Sequence, residues 1–145
     1  MSPADGWELY SRGSYIALPG ADAELETAYS VQDYLDVDID DGTRVSVEAE
    51  DVAEYVIHQF KDYVGAQTGC YLSCNCQSAL APSASIVKLQ IYNYDTTTWD
   101  DLGAGSTNNT ADADTDFDLV GTVSDLADYK SPQLYITCRV YQRDA

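Results

Sequence analysis

The sequence predicts an all-β fold, an antiparallel β-sandwich of about eight strands, and three observations carry that reading. Apolar and polar residues alternate at period two in several segments, most clearly where Val87, Leu89 and Ile91 oppose Lys88, Gln90 and Tyr92. Turn-forming Gly, Pro, Asn and Asp separate these segments at the roughly eight-to-twelve-residue spacing of sandwich proteins. No strand–helix rhythm and no repeat of about twenty to fifty residues is present, which disfavours parallel α/β folds, solenoids and propellers.

In chain order, residues 1–20 combine Trp7, Tyr10 and Tyr15 with Pro3, Gly6, Gly13, Pro19 and Gly20. They read as an extended N-terminal arm, or a short hairpin closing at Ser11 to Ser14, set against a domain of residues 21–145 or a neighbouring subunit. Residues 24–31 could start a strand or a helical turn, since Leu25, Ala28 and Tyr29 sit at helical spacing, and length decides for strand. Asp36 to Asp40, the turn at Asp41-Gly42 and the return Arg44 to Glu48 read as a hairpin. Glu54 to Val64 carries apolar groups on both faces, the mark of a strand covered on each side or of a central one.

From Gly69 to Gln77 the cysteines Cys70, Cys74 and Cys76 share one strand face with Leu72. Ala79 to Ala84, with Pro82, is a loop into a second hairpin, Ser85 to Leu102. Its turn lies at Asn93 to Thr98, because Asn and Asp side chains bond their own backbone, and Trp99 and Leu102 weight the returning strand. Gly103 to Ala111 is an exposed loop. Asp112 to Val120 is a half-buried strand using Phe117 and Leu119, Val123 to Tyr129 a helical turn, and Leu134 to Tyr141 a last strand with Leu134, Ile136, Cys138 and Val140 inward.

The 145 residues match one domain. Acidic residues number 25 against 7 basic ones, for a net charge of −18, so nucleic acid and anionic membrane surfaces are repelled. Lys61, Lys88 and Lys130 are the only lysines, a surface suited to high salt or to a basic or metal-bridged partner. No stretch of about twenty apolar residues is present to span a bilayer. The first residues form neither a basic n-region nor an apolar h-region, so a chain that begins here is expected to be assembled in the cytoplasm and not secreted by a signal peptide.

Several residue sets carry candidate chemistry. Cys70, Cys74, Cys76 and Cys138 are open to three readings: free thiols in a core, a disulfide between Cys138 and one of the others, or a metal site, for which the spacing is poor. His58, the only histidine, would need a thiol beside it to form a nucleophilic pair. Asp36, Asp38 and Asp40, and the run Asp112, Asp114, Asp116 and Asp118, are weak calcium candidates, because alternating strands splay carboxylates apart. No catalytic constellation or cofactor is expected. Trp7, Tyr10, Tyr15, Tyr92, Tyr94 and Trp99 are candidate partner-binding aromatics, since such rings supply contact area at low entropic cost.

Ala81-Pro82-Ser83, then Leu89-Gln-Ile-Tyr-Asn93 followed by Trp99 and Leu102, Thr115-Asp116-Phe117, Asp128-Tyr129 and Cys138-Arg-Val-Tyr-Gln142 form a pattern from about Val56 to Gln142. That pattern resembles jelly-roll, galactose-binding-like modules of carbohydrate-binding domains and tailed-virus structural proteins. The resemblance implies a jelly-roll-like sandwich and a non-enzymatic virion role, as a capsid decoration, head or tail accessory protein. It further implies contact with the major capsid or another virion protein, and a homo-oligomer, with a trimer favoured. The alternative it implies is a carbohydrate-binding module whose stacking platform is Trp99, Tyr92 and Tyr94. A surface-filament subunit is a third reading.

Overall fold

A computed structural model describes all 145 residues, Met1 to Ala145. Nine strands and one short α-helix form an antiparallel sandwich, as the alternation predicted. The strands are β1 (Trp7–Tyr15), β2 (Thr27–Ala28), β3 (Tyr55–Tyr63), β4 (Cys70–Cys76), β5 (Val87–Asn93), β6 (Thr98–Asp101), β7 (Thr107–Asn108), β8 (Phe117–Val123) and β9 (Tyr135–Arg143), and the helix is α1 (Val31–Asp38). Seven strands form one sheet in the order β2-β1-β3-β9-β5-β6, with β7 on β5, and β4 and β8 form a two-stranded sheet.

The core lies between the two sheets. Val87, Leu89 and Ile91 of β5 and Ile136, Cys138 and Val140 of β9 meet Phe117, Leu119 and Val123 of β8 in one buried cluster. Register follows from the pleat: Leu89 stands opposite Val140 and Ile91 opposite Cys138, so each pair shares the inward face. Full burial of side chains such as Ile91 and Leu119 stabilises the fold by about 1.5–3 kcal/mol each. The β5–β6 turn closes as its residues predict, with Asn93 Oδ1 accepting from the backbone N–H groups of Asp95 and Thr96, each at 3.0 Å.

β3 is covered on both faces, as its composition predicted. Val56, His58 and Phe60 face the small sheet, while Ile57, Gln59 and Lys61 are buried on the other side. That second face is covered by the segment leading to β2: Gln59 Nε2 donates to the carbonyls of Asp22 and Ala23 at 3.3 and 3.0 Å, and Arg139 to that of Pro19 at 2.8 Å.

Two expectations are corrected. Residues 1–20 are no separate arm and make no hairpin at Ser11 to Ser14. Their β1 is an integral sheet strand that pairs with β3, Leu9 opposite Phe60, and buries Leu9 on the core face. The hairpin read at 36–48 is also absent. Ser30 caps α1 instead, its hydroxyl accepting from Asp33 N–H while the Asp33 carboxylate accepts from Ser30 N–H. Tyr34 anchors the helix by accepting from Leu9 N–H at 2.8 Å, and together these bonds outweigh the alternation of Asp36 to Asp40. No helix is long and apolar enough to cross a membrane.

After α1 the chain crosses the open side of the sandwich as an extended strap, residues 43–49. Val45 and Val47 point inward, yet no residue of the strap makes a backbone–backbone hydrogen bond. Arg44 latches one end to the small sheet, through Asp116 at 2.8 Å and Asn75 at 2.8 Å. At the other end Glu50 N–H bonds to Gly13 O at 2.9 Å, and a Cβ on Gly13 would lie 1.7 Å from Glu48 O, so only glycine lets the strap seat on β1.

Candidate functional site

The chemistry-bearing residues gather in two places, on the outer face of the large sheet and in the space between the sheets. On the outer face β5 and β6 bring Tyr92 opposite Trp99. Tyr92 packs edge-on against both Tyr94 and Trp99, with ring centroids 4.9 and 5.2 Å away. Arg139 stacks on the Trp99 ring at 4.1 Å and donates from Nε to Gln90 Oε1 at 3.0 Å. Burial pulls the Arg139 guanidinium down to about 10.

This arrangement changes the reading of the aromatic candidates. Tyr92 is buried and Trp99 half-buried, and the Tyr94 hydroxyl is tied to Asp22 at 2.6 Å and Thr137 at 3.0 Å. Burial, with Asp22 adding to it, raises the Tyr94 pKa. These rings were expected to be presented outward, but residues 19–25 fold over the same face and consume it. Trp7, Tyr10 and Tyr15 are half-buried on β1, far from this trio in the sheet order. The aromatics left in the open are Tyr63 and Tyr71.

The acidic candidates do not converge. Asp36 accepts from Gln32 at 2.8 Å along α1, Asp38 holds the Met1 amino group at 2.5 Å, and Asp40 is exposed in the following loop. In the second run, Asp116 is committed to Arg44 and Asp118 to Asn75 at 2.9 Å. No group of three His, Cys, Asp or Glu side chains is placed to hold a metal ion.

All four cysteines are free thiols. Cys70, Cys74 and Cys76 share the inner face of β4, and Cys138 belongs to β9 in the facing sheet. Cys74 and Cys76 converge to 3.5 Å between sulfurs, the Cys76 thiol donating to Cys74. That bond holds the Cys74 pKa below its usual range and raises that of Cys76, while burial raises Cys138.

Sequence reasoning missed one feature. Between the sheets, beneath the strap, lies a cavity of about 620 Å³. Val45 and Val47 of the strap, Val56, His58 and Phe60 of β3, and Leu72, Cys74 and Cys76 of β4 line it, and Asp62 lies toward the Met1 and Trp7 end. His58 lies deep between the sheets but keeps accessible surface because its ring faces this space. Its Nδ1 pairs with the Tyr29 hydroxyl, and desolvation pulls the imidazole down to about 4, so it is neutral at pH 7. Desolvation likewise pushes Asp62 up to about 6.

The space is large and partly open to solvent. Its walls are mostly apolar, with a minority of polar and acidic residues, a composition compatible with a binding pocket. No family model matches the chain, and no curated protein or solved structure matches it.

Proposed function

We propose that the chain is a non-enzymatic structural protein of a virus particle, a capsid decoration or a head or tail accessory protein that acts through subunit contacts and surface display. The observation that supports this reading most is an apolar stripe held outward on a strongly acidic body. Val31, Leu35 and Ile39, at helical spacing along and just past α1, are 82%, 59% and 63% exposed. An isolated exposed apolar residue needs no explanation, but two on one face of a short helix with a third just beyond its end, in a chain carrying −18, favour contact with another protein. The partner in this reading is the major capsid protein, another virion protein, or further copies of the chain in an oligomer.

Density-gradient fractionation of the source culture, with mass spectrometry of each band, tests the proposal. The expected result is many copies of the chain banding with DNA-filled particles, and loss of that association in a folded Leu35→Glu variant. A chain that stays at the top of the gradient as a free small species overturns it. The carbohydrate-binding alternative has less support, because Trp99 lies under Arg139 and Tyr92 is buried, leaving little of a stacking platform. A glycan screen with Trp99→Ala as its control tests that alternative, and no sugar bound at millimolar concentration removes it.

A further inference from the structure

The geometry points to the cavity between the sheets as a binding site for a single extended hydrocarbon chain with an uncharged head, such as an acyl or isoprenoid alcohol, admitted when the strap of residues 43–49 lifts.

Three properties of the space select that ligand. The first is length. Val56, His58, Phe60 and Asp62 all face it, so it follows β3 for seven residues, about 20 Å at the strand rise. The second is width. That length leaves the 620 Å³ a mean cross-section of about 30 Å², room for one extended hydrocarbon chain.

The third is charge. Both cations of the lining are committed, Arg44 to Asp116 and Asn75 and the Met1 amino group to Asp38. No cation is therefore left to meet a carboxylate or phosphate, and a protein of net charge −18 disfavours an anion further. Carboxylates also line the space, among them Glu48 and Asp62, and oppose an anionic head, while its neutral polar atoms include the imidazole of His58 and the thiols of Cys74 and Cys76. These neutral atoms suit a hydroxyl, which both donates and accepts.

The strap supplies a route. It lacks backbone–backbone hydrogen bonds along residues 43–49 and is held at one end by the Arg44 latch and at the other by the contact with Gly13. Segments with so few bonds open locally without global unfolding. The strap's inward Val45 and Val47 complete the apolar wall when it is closed.

The test uses the neutral fluorophore N-phenyl-1-naphthylamine as probe, with hexadecan-1-ol and palmitate as competitors at pH 8. The expected results are saturable binding of one probe per chain, displacement by hexadecan-1-ol at a concentration about tenfold or more below that of palmitate, and loss of binding in Leu72→Trp, which fills the lumen. Because Leu72→Trp can misfold, the unmodified protein carries a second readout. At saturating hexadecan-1-ol, alkylation of Cys74 and Cys76 by N-ethylmaleimide, located by tandem mass spectrometry, slows by about tenfold, while Cys70, which does not line the cavity, keeps its rate. Absence of saturable binding overturns the proposal. Probe binding that leaves Cys74 and Cys76 equally reactive assigns the probe to the outer apolar stripe and overturns it too, and equal competition by palmitate overturns the uncharged head.

Discussion

Acid should weaken this fold through one residue. His58 is held at about 4 by desolvation, against 6.5 in an unfolded chain. Its folded-state value is depressed, so the unfolded chain takes up the proton first. Stability from this group is complete above pH 6.5 and is lost as pH falls through the window from 6.5 to 4. The full gap corresponds to about 3 kcal/mol at 1.36 kcal/mol per tenfold in proton affinity. At pH 5 the unfolded imidazole is almost fully charged and the folded one almost fully neutral, so about 2 kcal/mol is already gone.

The groups facing His58 do not reverse the sign. Tyr29 is itself raised by burial and remains a neutral partner, and Asp33 favours the charged imidazole without overcoming desolvation. Asp62, further along β3, works in the opposite direction, since its raised pKa retains a proton in the folded state, but it is half-exposed and its effect is screened. The assay is urea unfolding at pH 7.5, 6 and 5, above the sequence pI of about 4.1 so that the chain keeps a net negative charge, on wild type and His58→Asn. Asn keeps a polar partner for Tyr29, and Asp62 cancels in the comparison. Wild type should lose about 2 kcal/mol more than the variant between pH 7.5 and 5; equal losses would refute the desolvation argument.

Other perturbations test the packing. Arg139→Ala, which strips the bonds to Gln90 and Pro19 and the stack on Trp99, should cost about 3 kcal/mol in urea unfolding, and the volume-matched Arg139→Met less than half as much; equal costs would show that these polar contacts contribute nothing. Tyr34→Phe leaves the buried Leu9 N–H without its acceptor and should cost about 1–3 kcal/mol, with an unchanged denaturation midpoint counting against the anchor. Thr97 sits at φ 56°, a left-handed conformation unfavourable for a β-branched residue, so Thr97→Gly should stabilise by about 1 kcal/mol and raise the melting temperature by roughly 3 °C; a lower melting temperature would argue against strain there.

Local periodicity made the strands legible and long-range covering did not. The inward faces of β4, β5, β8 and β9 follow from alternation alone, and β3 betrayed its two-sided burial by apolar groups on both faces. The outward direction of Tyr92 was also correct, but its burial depends on residues 19–25, which no local pattern ties to that face. α1 carried a readable signal in Ser30-Val-Gln-Asp33, and the stronger-looking Asp-Val-Asp-Ile-Asp alternation masked it. Downstream the alternation retained its meaning: Val45 and Val47 do point inward, though in a strap and not a ladder. The cavity was not legible, because its volume is set by the separation of two sheets whose pairing is decided by residues far apart in the chain.

The placement of β9 has a consequence for synthesis. It is the last strand of this domain in chain order, yet it lies in the middle of the large sheet, between β3 and β5. Until Tyr135–Arg143 has left the ribosome, the halves β1-β3 and β5-β6 have no strand to join them, and each presents an unpaired edge. Folding of this domain is therefore completed only once β9 has emerged, through pairings of high contact order that form slowly. During that wait the surplus of carboxylates serves a second purpose, because like-charged nascent chains repel one another while their edges are open.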